Sequence, residues 1–186
     1  MSVPTGVRKI GVSAVAKTWA FGEMEGIGTP YGGGGEAGGQ VTSLIGEAAP
    51  EFRLERLEGD PFKLSESRGK EVVVLDFWAT WCGPCIAALP EVMAAVDEFE
   101  GQGVRLIGVN QQEAPGKISQ FLEAKGWDLD VVLDADRQNP VSKQFGVTGI
   151  PTTFVIGKDG KVLMMHSGFS PSLKGDLIND IKRALK

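Results

Sequence analysis

Two cysteines stand between a predicted buried strand and a predicted helix, and this junction restricts the possible folds more than any other stretch of the chain. The apolar residues 72–75 lie in a strand predicted over 71–77, and Cys82-Gly83-Pro84-Cys85 follows it. A continuous apolar strand of this kind is typical of the middle of a sheet whose two faces are covered by helices. Two cysteines are too few for a disulfide framework in a chain of 186 residues, so we interpret both as reactive groups.

The apolar patterning predicts alternating strands and helices along the rest of the chain. A short hairpin is predicted from 50–54 and 62–64, and further strands are predicted at 104–109, 131–133, 152–156 and 161–165. Helices are predicted from Pro84 to near Gly101, with a kink at Pro90, and over 117–125 and 140–145. A last helix is expected to be capped by Ser170, with Pro171 in its first turn. The first helix is expected to bury Ile86, Leu89, Val92, Met93, Val96 and Phe99.

The order of these elements predicts an α/β fold. Strand, helix and strand over 71–109 form a right-handed parallel crossover. The last two strands are joined by Lys158-Asp159-Gly160, which indicates an antiparallel hairpin. The sequence therefore predicts a central mixed β-sheet that is flanked by helices and has one antiparallel end.

A glycine-rich stretch divides the chain into two parts. Nine of the eighteen residues from 22 to 39 are glycine, and such a segment loses too much backbone entropy on folding to belong to a packed element. We therefore expect residues 1–45 to be a flexible arm, or the remnant of a preceding segment, and residues 46–186 to be the folded domain. Arg8 and Lys9 precede the apolar run 10–16, but this pattern falls short of a typical signal sequence.

The charge of the chain restricts its partners. A formal net charge of −5 argues against a nucleic-acid surface or an anionic membrane surface, because both favour a basic field. We expect the partner to be another protein and the domain to be a monomer.

The redox-active Cys82–Cys85 disulfide is expected to act without a metal or a further cofactor.

The predicted strand-to-helix junction gives the two cysteines different roles. A thiol attacks a disulfide only as its thiolate, and Cys82 is predicted at the amino end of the helix, where backbone N–H groups and the helix dipole stabilise negative charge. We therefore interpret Cys82 as the attacking nucleophile and Cys85, one turn further, as the resolving thiol. Gly83, Pro84 and the preceding Trp81 are expected to belong to the substrate-binding surface.

Two carboxyl groups are candidates for proton transfer with Cys85. Asp76 lies in the buried strand, where desolvation raises a carboxyl pKa toward the range useful for proton transfer, unless strand pleating turns it to a polar rim. Glu113 lies just past the carboxyl end of the next strand, where parallel sheets bind ligands. Pro151 precedes another strand, and a cis bond there would expose the backbone of Ile150 to an extended substrate, although the sequence does not fix the isomer.

Other interpretations of the cysteine pair have less support. A structural zinc site needs four ligands, and the single histidine, His166, lies on a distant predicted strand as an ordinary strand residue. Covalent haem attachment needs a histidine where this chain has Ile86. An inert structural disulfide remains an alternative, although the strand-to-helix position favours reactivity.

The motifs resemble those of thioredoxins. Trp81-Cys82-Gly83-Pro84-Cys85 is similar to the thioredoxin active-site motif. The buried aspartate, the kinking proline and the cis-proline loop of thioredoxins match Asp76, Pro90 and Ile150-Pro151-Thr152. Segments 46–52, 108–110, 131–134 and 151–156 further resemble the TlpA/ResA-like branch of the redoxins. The resemblance covers residues 46–186 and leaves out the glycine-rich arm.

This resemblance implies a thioredoxin fold with an amino-terminal β-hairpin extension and a central insertion. It also implies a thiol-disulfide oxidoreductase that reduces protein disulfides and receives electrons from a thioredoxin reductase or a membrane thiol-reductant protein. An extracytoplasmic location, periplasmic or tethered to a membrane, is implied as well, while a cytoplasmic location stays open. Glu113 matches a carboxylate near the active site of ResA-like proteins. At the position of Asp76, those proteins often carry a neutral residue, so this chain differs from them there.

Two other functions remain as alternatives. A thiol peroxidase of the redoxin group carries threonine or serine three residues before its reactive cysteine and proline four residues further back. This chain has Ala79 and Leu75 at those places. A non-enzymatic thioredoxin-like docking module would have no need of two intact cysteines.

Overall fold

The computed structural model describes residues 44–138 and 140–186. The predicted arm and the charged-apolar pattern at 8–16 lie outside these residues, except for Leu44 and Ile45. Ile45 forms a β-bridge with Val162, and Leu44 packs against the hydrophobic core. Two residues just before the predicted start of the domain therefore also contact it.

The described residues form a mixed sheet with helices on its faces. The elements in chain order are β1 (Arg53–Leu54), β2 (Phe62–Lys63), β3 (Val72–Trp78), α1 (Gly83–Asp97), β4 (Val104–Gln111), α2 (Pro115–Lys125), β5 (Val131–Asp134), α3 (Val141–Gln144), β6 (Thr152–Ile156), β7 (Val162–Ser167) and α4 (Leu173–Ala184). The main sheet has the order β5-β4-β3-β6-β7, while β1 and β2 pair separately. The mixed α/β sheet and the amino-terminal hairpin are confirmed.

Strand β3 occupies the middle of the main sheet. It pairs in parallel with β4 and antiparallel with β6, and all seven of its residues are buried. One face packs against a cluster rich in phenylalanine, which includes Phe77, Phe145 and Phe154. The other face packs Val72 and Val74 against α1 and α4. Because helices and loops cover both faces, the continuous apolar run of β3 is stable only in this central position.

Helix α1 buries only part of the predicted stripe: Leu89, Val92 and the following Phe99 are buried as expected. Its buried residues are Cys85, Ala88, Leu89, Val92 and Ala95, whereas Ile86, Met93 and Val96 are only half-buried. The small side chains of Ala88 and Ala95 face the core against β3 and α4, where helix and sheet approach closely. The larger side chains of Ile86, Met93 and Val96 therefore lie beside this contact and not at its centre. Pro90 lies inside the helix, as expected.

The start of α4 also differs from the prediction. The helix begins at Leu173 with Ser172 at the N-cap position, so the prediction of Ser170 as the cap is wrong. The Leu173 N–H donates to the Ser170 carbonyl oxygen at 3.1 Å, which makes residues 170–172 a turn ahead of the helix. None of the helices within the described ranges combines the length and apolar character needed to cross a membrane.

His166 on β7 is not an ordinary strand residue. Its Nε2 lies 2.7 Å from Asp180 Oδ2, and Asp180 on α4 also pairs with Arg183. Asp180 is buried, and a buried carboxylate is stable only when it is paired. The pair therefore fixes α4 against β7, a role that the sequence did not indicate.

Candidate active site

A disulfide joins Cys82 and Cys85 at the amino end of α1. Cys82 is the N-cap residue, and its Sγ accepts a hydrogen bond from the Cys85 backbone N–H at 3.2 Å. The same N–H group and the helix dipole stabilise a thiolate at Sγ once the disulfide is reduced. Cys82 is 5% exposed and Cys85 is 0% exposed, so only the Cys82 sulfur is open to an incoming disulfide.

The loop before β6 lies against the Cys82 sulfur. The Ile150–Pro151 peptide bond is cis, as the thioredoxin resemblance implied, and the Ile150 carbonyl oxygen lies 3.7 Å from Cys82 Sγ. The Pro151 carbonyl oxygen accepts a hydrogen bond from Gly168 N–H at 2.8 Å. This bond anchors the loop on its far side and leaves the Ile150 backbone beside the reactive sulfur.

A groove leads away from the disulfide on the α3 side. Its volume is about 650 Å³, and its lining includes Trp81, Gln111, Pro140, Lys143, Val147 and Ile150. Trp81 is 66% exposed, although it is a large apolar residue next to Cys82. Gly83 and Pro84 are also exposed, at the first turn of α1. An exposed indole beside a reactive sulfur offers apolar contact area to a partner protein.

Asp76 lies in the buried part of β3, six residues before Cys82. Thr153 Oγ1 donates a hydrogen bond to Asp76 Oδ1 at 2.6 Å, while Asp76 Oδ2 is buried and has no partner among the described residues. Burial raises the pKa of Asp76 to about 7, against a smaller lowering by the Thr153 bond. A carboxyl group with this pKa can both accept and release a proton near neutral pH. The alternative of a solvated polar rim is wrong, because Asp76 is fully buried.

Glu113 lies just past the end of β4, where the sequence predicted it, and it is fully hydrogen-bonded. Its carboxylate accepts from Thr80 N–H, Thr80 Oγ1, Asn110 Nδ2 and Lys117 Nζ. Burial raises its pKa, but the bonds from Lys117, Thr80 and Asn110 outweigh this and lower the pKa to about 2. Near neutral pH, a carboxylate of this kind is a poor proton acceptor.

The sequence missed four residues that complete this arrangement. Thr153 is the cross-strand neighbour of Asp76 in the β3–β6 pairing, and this register cannot be deduced from local pattern alone. The other three are Thr80, Asn110 and Lys117, and all of them donate to Glu113. The Asn110 side chain could have been suspected, because polar residues at the carboxyl end of a parallel strand often serve a site.

Comparison with known proteins identifies similar sequences. The sequence model of the AhpC/TSA family matches residues 45–165. The thiol-disulfide oxidoreductase ResA of Bacillus subtilis is 38% identical over 145 residues, which cover 77% of this chain and 79% of that protein. ResA of Geobacillus thermodenitrificans is 39% identical over 124 residues, which cover 67% of this chain and 70% of that protein.

Solved structures show the same fold. A proposed DsbE-type thiol:disulfide interchange protein from Chlorobium tepidum superimposes with a TM-score of 0.68 at 36% identity, covering 75% of this chain and 96% of that chain. A second thiol:disulfide interchange protein of the thioredoxin family, also from Chlorobium tepidum, superimposes with a TM-score of 0.63 at 26% identity. It covers 75% of this chain and 96% of that chain.

Proposed function

The chain belongs to the AhpC/TSA family and is a thiol-disulfide oxidoreductase, and from this premise we propose that it reduces disulfide bonds in other proteins outside the cytoplasm. Enzymes of this kind act on protein substrates and exchange electrons with redox partners. The observation that carries the proposal is the Cys82–Cys85 disulfide at the start of α1, with the Cys82 sulfur 3.7 Å from the carbonyl oxygen of the half-buried Ile150.

The proposed cycle begins with the reduced pair. The Cys82 thiolate attacks one sulfur of the substrate disulfide, a new S–S bond forms, and the other substrate sulfur leaves as a thiolate. Cys85 then loses its proton and attacks Cys82 Sγ, which breaks the mixed disulfide and releases the second substrate sulfur. The enzyme ends as the Cys82–Cys85 disulfide, and the substrate has gained two electrons and two protons.

Asp76 is the proposed acceptor of the Cys85 proton. Its burial beneath the sheet face on which α1 packs, its pKa of about 7 and its free Oδ2 support this role. A base with a pKa near the working pH transfers protons efficiently in both directions. It can therefore also return the proton when an electron donor reduces the disulfide again.

The substrate is proposed to bind as an extended segment. The Ile150 backbone lies beside Cys82, and backbone pairing of this kind holds a peptide without regard to its side chains. Trp81 and the groove toward Val147 and Lys143 would then contact the flanking residues. Gly83 supports close approach of the substrate, since it has no side chain at the exposed first turn of α1.

The electron donor and the compartment are inferred from the resemblance to the TlpA/ResA-like branch. The donor would be a dithiol protein, either a thioredoxin reductase or a membrane thiol-reductant protein, that supplies two electrons to the Cys82–Cys85 disulfide. The domain would act as a monomer and would need no metal or further cofactor, because the sulfur pair itself carries the electrons.

Reduction of insulin with dithiothreitol as the electron source tests this function. We expect turnover by the wild-type protein and none above the dithiothreitol background by Cys82→Ser. Reduced Cys85→Ser, mixed with insulin after removal of dithiothreitol, should trap a mixed disulfide that is visible on a non-reducing gel. Undiminished turnover in Cys82→Ser would contradict the cycle. Peroxide consumption measured on the same preparations separates the peroxidase alternative, which requires peroxide-dependent oxidation of Cys82.

A further inference from the structure

Every acceptor position of the Glu113 carboxylate is in use. Oε1 accepts from Thr80 Oγ1 and from Lys117 Nζ, both at 2.6 Å. Oε2 accepts from the Thr80 backbone N–H at 2.6 Å and from Asn110 Nδ2 at 3.0 Å. The Glu113 side chain is only 5% exposed. The two bonds to Thr80 join segments that are thirty-three residues apart in the chain.

The backbone before Glu113 adopts an uncommon conformation. Gln112 has a φ of 56°, and it is the one non-glycine residue with positive φ in the part of the chain that the structure describes. Residues other than glycine, asparagine and aspartate rarely adopt this left-handed region. The turn directs the chain from the end of β4 so that the Glu113 carboxylate reaches the loop after β3.

Thr80 lies in the short connection that carries the reactive sulfur. The connection links the end of β3 at Trp78 to the start of α1 at Gly83. It is tightened by a bond from the Cys82 N–H to the Ala79 carbonyl oxygen at 3.1 Å. Thr80 is fixed through both its backbone and its hydroxyl group, so the position of Cys82 two residues later depends on this anchor.

We propose that Glu113 is a positioning residue which, through Thr80, holds the 79–82 loop in the geometry that Cys82 needs to attack a disulfide. The proposal deepens the proposed reductase function and rests on it. Cys82 Sγ must alternate between Cys85, a thiolate state and a substrate sulfur, while it stays at the N-terminus of α1. A loop anchored by charge-assisted hydrogen bonds keeps the sulfur there through all three states.

The bonding pattern distinguishes this role from proton transfer. Glu113 has four donors, one of which is the charged Lys117, so protonation would cost it several hydrogen bonds. Asp76, in contrast, retains an oxygen without a partner within the described residues. Two carboxyl groups near one disulfide therefore have separate tasks, one that positions the nucleophile and one that accepts a proton.

The test compares Glu113→Gln, Thr80→Val, Thr80→Ser and the Glu113→Gln/Thr80→Val double variant. Glu98→Gln is the matched control, because it removes the same charge at the far end of α1, where Glu98 pairs with Lys174. The readouts are the single-turnover rate at which reduced Cys82 attacks a small aromatic disulfide, and the pH midpoint of mixed-disulfide resolution by Cys85. Circular dichroism verifies that each variant is folded.

We expect Glu113→Gln and Thr80→Val each to slow the attack by Cys82 about tenfold, since each removes charge-assisted bonds to the loop. Thr80→Ser should restore most of the rate lost in Thr80→Val, and the double variant should be no slower than Glu113→Gln alone. The pH midpoint of resolution should stay at the wild-type value in all of them. Glu98→Gln should attack at the wild-type rate.

Two results would overturn the proposal. A shifted pH midpoint in Glu113→Gln, with a wild-type rate in Thr80→Val, would make Glu113 a proton carrier. Wild-type attack rates in every folded variant would leave the contact without a role in reactivity. If Glu113→Gln fails to fold, the Thr80→Val and Thr80→Ser pair decides the matter. Because the small disulfide reports on Cys82 alone, its result is independent of whether insulin is reduced.

Discussion

Thr153 Oγ1 donates a hydrogen bond to Asp76 Oδ1 at 2.6 Å, and the two residues face each other across the β3–β6 pairing. The bond occupies one oxygen of a fully buried carboxyl group, while the other oxygen has no partner among the described residues. Thr153 thus fixes the orientation of Asp76 and also favours its ionised form.

Replacing Thr153 by valine should raise the pKa of Asp76 further above its usual range. Valine keeps the shape of threonine but removes the donor that lowers this pKa toward about 7. Asp76 then stays protonated to higher pH, so resolution of the mixed disulfide by Cys85 should require a more alkaline solution. The measurement is the resolution rate against pH, and Thr153→Ser, which keeps a donor, should return the profile toward that of the wild type.

Replacing Asp76 by asparagine should stabilise the protein at alkaline pH and not at acid pH. The pKa of Asp76 is raised from 3.8 to about 7 by burial, so the folded state holds a proton that the unfolded chain releases. Stability therefore falls as pH rises from about 4 to about 7, by at most on the order of 4 kcal/mol. Urea unfolding of both proteins at several pH values checks this, and a stability difference that does not change with pH would contradict it.

Glu113 should contribute stability with the opposite dependence on pH. Its pKa is lowered from 4.5 to about 2, so its bonds to Thr80 and Lys117 are fully present above pH 4.5 and are lost as pH falls through about 2. The stability difference between the wild type and Glu113→Gln should therefore be constant from pH 5 to pH 7 and shrink in acid. A difference that instead grows between pH 7 and pH 4 would argue against the low pKa.

Replacing Gly108 by alanine should destabilise the sheet face next to the disulfide. A methyl group there would lie 2.9 Å from Trp78 Nε1 and 2.9 Å from Leu129 Cδ2, and overpacking of a buried site costs about 1–3 kcal/mol. Gly116→Ala is the control, because a methyl group at Gly116, on α2, meets no described atom within 4 Å apart from its chain neighbours and its own helix backbone. Chemical denaturation of both variants should show a loss of stability for Gly108→Ala alone.

The sequence predicted the parts of the site that depend on local pattern. The continuous apolar run of β3 placed Asp76 in the core, and the strand-to-helix junction placed Cys82 at the start of α1. The position of Glu113 at the end of β4 was also predictable, because parallel strands end at one edge of the sheet.

Contacts between distant segments were not predictable in the same way. The Thr153–Asp76 bond joins residues seventy-seven positions apart and requires the β3–β6 register. The Thr80 anchor depends on the left-handed turn at Gln112, which no sequence pattern indicated. The His166–Asp180 pair similarly requires α4 to lie on β7. Side-chain contacts of this kind depend on the tertiary arrangement and cannot be deduced from local sequence. The separate roles of Asp76 and Glu113 depend on these contacts more than on the positions of the two residues in the chain.

The central claim is that the Cys82–Cys85 pair serves as a reductant of protein disulfides. Its most direct test is the reduction potential of the pair, measured by equilibration with glutathione or with a thioredoxin of known potential. We expect a value near −270 mV, which is that of a thioredoxin-like reductant. A value near −120 mV, which is that of a strong oxidant, would contradict it.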